Sequence, residues 1–161
     1  MKLIIIFLIP IISFNILAQS SNDTLKNTHR HEKSRNEIAI ATSVPYFVNE
    51  DKVSYSIHVH YIYNIPHTKF GIGLAYEAIL LDPKHNTFGI VTSYKPTEHL
   101  NLAFSPGISF ESNDATPFLS LHTEIAYGFE VGIFHIGPVL EFAYDPNDYH
   151  ISLGLHVGFD F

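Results

Sequence analysis

The final stretch of the chain decides the fold: residues 149–161 read YHISLGLHVGFDF. Side chains of two kinds alternate along it. One set is bulky and apolar: Tyr149, Ile151, Leu153, Leu155, Val157, Phe159 and Phe161. The other set is small or polar: His150, Ser152, Gly154, His156, Gly158 and Asp160. A period of two indicates a β-strand. Because the bulky face carries no charge, the pattern is typical of a closed barrel whose outside contacts lipid.

Elsewhere in the chain, charged residues are also absent from the bulky face of the predicted strands. After Arg35, every lysine lies in or beside a predicted turn: Lys52, Lys69, Lys84 and Lys95. The acidic residues within predicted strands all belong to the small-residue face: Glu37, Glu77, Glu124, Glu141 and Asp160. A lipid-facing surface excludes charge, at a cost of about 2–4 kcal/mol for Lys or Arg at the membrane midplane. The distribution therefore favours a membrane barrel.

The first residues predict export. A short basic start, Met1-Lys2, precedes the apolar run Leu3 to Leu17, and Ala18 is a small residue suited to cleavage. We therefore predict a signal peptide at residues 1–18. Residues 19–36 are polar and lack periodicity, which predicts a flexible periplasmic tail and a place for a periplasmic partner to bind. The barrel is predicted over residues 37–161.

Composition excludes several classes of function. The chain of 161 residues has no cysteine, so neither a disulfide framework nor thiol chemistry is available. Its net charge of −7 gives no reason to expect a nucleic-acid partner. The length suits one domain.

Eight segments of period two follow Glu37, at residues 38–46, 53–63, 70–78, 87–94, 100–110, 119–129, 134–142 and 149–161. Short loops join them, among them a predicted loop from Glu111 to Thr116. Their number and length predict an all-β fold, an eight-stranded antiparallel up-and-down transmembrane β-barrel. Pro106 and Pro138 fall inside predicted strands, at positions of the bulky, outward face. Proline has no backbone N–H to donate to the neighbouring strand, so each predicts a bulge or local fray.

With its export signal, its alternation and its final HISLGLHVGFDF, the chain resembles the small eight-stranded outer-membrane β-barrel proteins of diderm bacteria. The resemblance implies a place in the outer membrane after signal-peptide removal, with the lipid bilayer and the barrel assembly machinery as partners. It also implies that alternate hydrophobic residues of the last strand form the assembly signal: Phe161, Phe159, Val157, Leu155 and Leu153. We expect a monomer with both termini in the periplasm.

The predicted inner face combines histidines with carboxylates: His58, His60, His122, His135 and His156 with Glu77, Glu124 and Glu141. An eight-stranded barrel is just wide enough for its own side chains. Buried carboxylates need partners, and histidines are the only cations that the strands offer. We therefore predict a His–Glu network that plugs the lumen. The pairs His58/His60 and His122/Glu124 would suit zinc, but spacing on strands is a weak signal, and neither a metal nor a cofactor is predicted.

The residues favour a structural or interaction role without catalysis. One alternative is a soluble secreted or periplasmic lipocalin-like barrel that binds an apolar ligand, which requires the bulky face to point inward. A minor alternative is a barrel lipid hydrolase that uses His150 and Ser152, with Glu141 or Asp148 as the orienting acid.

Overall fold

A computed structural model describes residues 34–82, 84–111, 114–146 and 148–161, with only the backbone of 114–115. This described part of the chain forms ten β-strands. The strands are β1 (Asn36–Phe47), β2 (Lys52–Val53), β3 (Ser56–Asn64), β4 (Phe70–Ile79), β5 (His85–Tyr94), β6 (Leu100–Glu111), β7 (Asp114–Tyr127), β8 (Phe129–Val131), β9 (Phe134–Tyr144) and β10 (Tyr149–Asp160). The predicted signal peptide and the predicted tail up to residue 33 lie outside the described residues. No helix in the described part of the chain is long and apolar enough to cross a membrane.

Antiparallel pairing closes eight of these strands into a ring. The order around the sheet is β10-β1-β3-β4-β5-β6-β7-β9, and β9 pairs again with β10. The predicted all-β, eight-stranded antiparallel barrel is therefore confirmed. We call the end where β1 begins and β10 ends the terminal end. The opposite end, with the links β1–β3, β4–β5, β6–β7 and β9–β10, is the turn end.

Two predicted strands are interrupted. The segment 53–63 is divided into β2 and β3, and the segment 119–129 is divided into β7 and β8. β7 also begins earlier than predicted, because Asp114 pairs with Glu111. The predicted loop from Glu111 to Thr116 is therefore wrong: strand pairing extends almost to its tip.

Pro106 and Pro138, for which the sequence predicts a bulge or fray, disturb one ladder each. Pro106 still pairs with Leu121 of β7, but the β5–β6 ladder has no pair between Gly89–Gly107 and Thr92–Phe104. Pro138 pairs with Leu155 of β10, whereas the β7–β9 ladder ends one residue earlier, at Ala126–Val139. Both prolines are exposed. Each removes one donor on one side of its strand, as proline must.

Polarity in this barrel is inverted relative to a soluble protein. Large apolar side chains are exposed all around the outside, with examples on every long strand such as Ile40, Leu74, Ile90, Leu119 and Leu153. Histidines, glutamates and serines are buried inside. This is the arrangement that a lipid-facing exterior requires, and it is the reverse of the lipocalin-like alternative.

Small residues let neighbouring strands approach closely. A Cβ atom at Gly73 would collide with the carbonyl oxygen of Tyr61, and one at Gly137 would collide with that of Tyr127. Both glycines lie beside aromatic residues whose rings point outward. Glycine at these positions therefore permits the strand curvature that closes the ring.

Candidate site inside the barrel

The first of three polar clusters in the lumen lies at the terminal end. Glu37 of β1 is 1% exposed and forms an ion pair with Lys95, which follows β5. Its other oxygen lies 3.3 Å from Nε2 of His135, and Nδ1 of His135 lies 3.6 Å from Oδ2 of Asp160. The expectation that histidines alone supply cations is therefore wrong. Lys95 reaches the interior from a loop, where the alternation of strands gives no signal of side-chain direction.

The second cluster spans the lumen near mid-barrel. Nε2 of His58 and Nε2 of His60 are hydrogen-bonded at 2.9 Å. Across from them, Oε2 of Glu124 lies 3.6 Å from Nδ1 of His58 and 3.9 Å from Nε2 of His60. Oε1 of Glu124 lies 3.8 Å from Nδ1 of His156. β3 and β7 stand on opposite sides of the ring, so these contacts connect facing walls.

The third cluster lies on the turn-end side of the second. Nδ1 of His122 is hydrogen-bonded to Oε1 of Glu141 at 2.6 Å, and it lies 3.4 Å from Oε2 of Glu77. The fourth member is His150, whose ring lies 6.0 Å from that of His122, centroid to centroid. β7 and β10 both flank β9, where the small residue Ala143 pairs with both histidines and leaves room for them above Glu141.

The predicted lumen residues all lie on the inner face, in three clusters: His58, His60, His122, His135, His156, Glu77, Glu124 and Glu141. The first two clusters are joined, because Nε2 of His156 lies 3.3 Å from Nε2 of His135. The predicted pair His122/Glu124 is divided between two clusters. Glu37, Lys95 and His150 are additional members. In the sequence, Glu37 and His150 alternate in step with the small-residue face, so their inward direction could be predicted from the period of two.

The hydrolase alternative finds little support in the geometry. His150 and Ser152 are 2% and 0% exposed, and Oγ of Ser152 has no hydrogen-bond partner among the described residues. Glu141 is already bound to His122. Asp148 accepts hydrogen bonds from the backbone amides of Asn49 and Glu50 at 2.9 and 3.2 Å. A nucleophile needs contact with its base and access to a substrate, and this pair has neither.

Ion pairs outside the barrel fix the turn end. Nζ of Lys52 lies 2.9 Å from Oδ2 of Asp82 and 2.9 Å from Oε2 of Glu50. The hydrogen bonds from Lys52 to Asp82 and then to Glu50 raise the pKa of the Lys52 ammonium, because both favour its charged form. The hydroxyl of Tyr46 donates to Asp51 at 2.8 Å. The links β1–β3 and β4–β5 are thus connected above the barrel rim.

The predicted assembly-signal residues occupy the outer face of β10 and the position after it. Leu153, Leu155 and Phe161 are 65%, 51% and 50% exposed. Val157 and Phe159 are half-buried, and the ring of Phe159 lies between Phe134 and Phe161, with centroids 5.6 Å away on each side. The face is accessible, and its role in assembly stays a prediction.

Comparison with known proteins supports the fold. No protein-family model matches the chain, and no curated protein sequence matches it significantly. Two solved structures of de novo designed transmembrane β-barrels are similar, with TM-scores of 0.55 and 0.52 and 12% identity each, over 79% and 82% of this chain and 98% of each design. This is the fold of a small transmembrane β-barrel. Neisserial surface protein A is also similar, with a TM-score of 0.50 and 13% identity over 78% of this chain and 96% of its own.

Proposed function

We propose that this chain is an integral outer-membrane protein whose role is structural or interactive, with a lumen closed by its own His and Glu side chains. The observation that carries the proposal is the inverted polarity of the barrel. Carboxylates and imidazoles are buried inside, while leucine, isoleucine and phenylalanine side chains are about half exposed on the outside. In water such an exterior would aggregate, whereas hydrocarbon accommodates it.

A closed lumen argues against a pore. Ile62 and Val91 are fully buried and form an apolar contact with Ala75 and Ala103 inside the barrel. On the turn-end side, the hydroxyls of Thr87, Ser109 and Ser120 are hydrogen-bonded in a row at 2.6 and 2.9 Å. Side chains thus fill the bore at several depths, as expected for eight strands. We expect no steady conductance from the purified protein in planar lipid bilayers, and a stable open channel would contradict the closed lumen.

Short connections limit what the protein can present outside the cell. At the turn end, the links leave the barrel for only a few residues, and internal ion pairs hold two of them. A receptor or adhesin usually binds through long surface loops. An interaction role would therefore use the rims of the barrel or the predicted periplasmic tail at residues 19–36.

Single introduced cysteines can test whether the turn end faces the outside of the cell, because the natural chain has no cysteine. Lys84 is exposed at the turn end, and Glu98 is exposed at the terminal end. A membrane-impermeant maleimide should label Lys84→Cys in intact cells and Glu98→Cys only after the outer membrane is permeabilised. Equal labelling of both sites in intact cells, or recovery of the protein in the soluble periplasmic fraction, would contradict the proposal.

The assembly signal has its own test. Removal of Phe161 should reduce the amount of folded barrel in the outer membrane of cells, while purified protein should still refold in detergent. Removal of the exposed loop residue Glu98 serves as a control for deletion itself. If both deletions assemble equally well in cells, the terminal aromatic residue is not the signal.

A further inference from the structure

The third lumen cluster combines four potential metal ligands from four strands. Glu77 lies on β4, His122 on β7, Glu141 on β9 and His150 on β10, and each is at most 4% exposed. One ligand atom from each residue lies within 4.8 Å of the others. We propose that Glu77, His122, Glu141 and His150 bind one divalent transition-metal ion inside the barrel.

Unsatisfied polar atoms in this cluster point to a missing partner. Among the described residues, neither carboxylate oxygen of Glu77 forms a well-aligned hydrogen bond, although the side chain of Ser56 lies nearby, and both ring nitrogens of His150 lack a partner. Buried polar atoms without partners are costly, and carboxylates most of all. The one hydrogen bond within the cluster joins His122 to Glu141. A metal ion would satisfy the free atoms of Glu77 and His150 together.

Charge balance supports a dication. Glu77 and Glu141 bring two carboxylates into contact with the same ring nitrogen of His122. The described lysines are occupied or remote: Lys95 pairs with Glu37, Lys52 pairs with acidic residues of the turns, Lys69 donates to a backbone carbonyl, and Lys84 is exposed. Two carboxylates and two neutral imidazoles around a dication form a neutral site, which is the cheapest arrangement in a buried interior.

The cluster also has suitable dimensions. Ligand atoms held about 2.0–2.1 Å from a tetrahedral ion lie about 3.4 Å apart, and Nδ1 of His122 is 3.4 Å from Oε2 of Glu77. The shorter contact from His122 to Glu141 must open by about 0.8 Å. The other ligand atoms lie within 4.8 Å of one another, so they must approach by at most about 1.4 Å. A cavity of about 10 Å³ lies beside two of the four ligands, Glu77 and His122, and its lining also includes His58. This is about the space of one small sphere.

The other two clusters are poorer candidates. Glu37 already has the Lys95 ammonium as its partner, and this positive charge would repel a second cation. The second cluster offers three ligand residues in place of four, and two of them, His58 and His60, are hydrogen-bonded to each other through Nε2. The mixture of imidazole and carboxylate in the third cluster suits zinc and its first-row neighbours, whereas Ca²⁺ and Mg²⁺ prefer oxygen ligands alone.

The inference rests on the proposed function, a barrel with a polar and closed lumen. The experiment distinguishes failure of the metal site from failure of the barrel itself. The full chain, purified without a polyhistidine tag, is refolded in detergent with and without zinc sulfate, dialysed against weak chelator and analysed for bound zinc. Heat-modifiable gel mobility without metal reports on the barrel itself. Zinc content reports on the site, for which we expect about one ion per folded barrel.

Matched variants locate the ion. Glu77→Gln removes one ligand charge at constant shape, and we expect zinc affinity to fall about a hundredfold. Glu124→Gln changes a carboxylate that is equally buried but belongs to the second cluster, and it should keep the wild-type affinity. His150→Gln provides a second ligand variant should Glu77→Gln not fold. A His29→Ala, His31→Ala variant should also keep the affinity, because it alters only histidines near the N-terminus.

Cobalt gives a readout that needs no variant. Co²⁺ bound to the wild-type barrel in place of zinc should show visible absorption bands of a four-coordinate site with nitrogen and oxygen ligands. Three zinc results would overturn the proposal: a folded barrel that retains no zinc, binding that survives in both Glu77→Gln and His150→Gln, or binding that disappears with His29 and His31. Absence of the cobalt bands in folded protein would do the same.

Discussion

Arginine in place of Leu155 tests whether hydrocarbon contacts the outside of the barrel. Leu155 is 51% exposed and lies at the centre of β10. A strand rises about 3.4 Å per residue, and a tilt of about 40° reduces the advance along the membrane normal to about 2.6 Å. The apolar band of such a barrel is about 25 Å tall, so Leu155 lies close to its midplane.

A matched control lies on the same face. Phe161 is 50% exposed and six residues beyond Leu155, which places it about 15 Å from the midplane and outside the apolar band. Leu155→Arg should lower the free energy of unfolding by about 2–4 kcal/mol, and Phe161→Arg by about 0–1 kcal/mol. The first value corresponds to a fall of about thirty- to several-hundred-fold in the ratio of folded to unfolded protein.

The assay is reversible unfolding by guanidinium chloride in phospholipid vesicles. Because the chain has no tryptophan, unfolding is followed by circular dichroism and by heat-modifiable gel mobility. Equal losses of stability for the two variants would refute the depth argument. A wild-type protein that folds to a stable barrel in plain buffer would refute the lipid-facing exterior altogether.

Three further variants test the interior by the same unfolding assay, with Lys84→Ala as an exposed control that should change little. His122→Ala leaves the carboxylate of Glu141 buried without its hydrogen bond, and we expect a loss of about 3 kcal/mol; no loss would contradict a role in stability. Lys95→Met should cost about 3 kcal/mol by leaving Glu37 with His135 as its remaining partner, and Glu37→Gln in the same chain should recover much of it, so additive losses would refute this pairing. Gly73→Ala should cost about 1–3 kcal/mol because its Cβ collides with a neighbouring carbonyl; an unchanged midpoint would show that the strands can separate there.

Much of the fold can be predicted from the sequence because one physical constraint acts on every strand. Lipid outside and polar side chains inside impose a period of two, as in the alternation of Leu153, Leu155 and Val157 with Gly154 and His156. The constraint does not specify where a strand breaks. Short β2 and β8 result from local pairing at the rims, which the alternation of side chains does not record.

The candidate site was only partly predictable, for a geometric reason. The alternation along each strand predicts which side chains point inward, so the inward direction of His58 and Glu124 could be derived. Which inward residues meet depends on the stagger between strands around the ring, and this separates His122 from Glu124 despite their spacing of two. Lys95 could not be found in this way because its loop lacks a strand period.

The lumen contacts have a structural consequence that the ladder of hydrogen bonds cannot provide. Neighbouring strands are held by their own backbone pairing, but nothing in that pairing fixes the distance between opposite walls.

The contacts of His58 with Glu124 join β3 to β7, and these strands are separated by three others in either direction. His122 connects Glu77 of β4 with Glu141 of β9, because its Nδ1 contacts both carboxylates, and β4 and β9 are also opposite strands. Removal of a side chain from these clusters should therefore alter the cross-section of the barrel as well as its stability. A metal ion shared by four strands would fix that cross-section more firmly than any single hydrogen bond, because its ligands lie on both sides of the lumen.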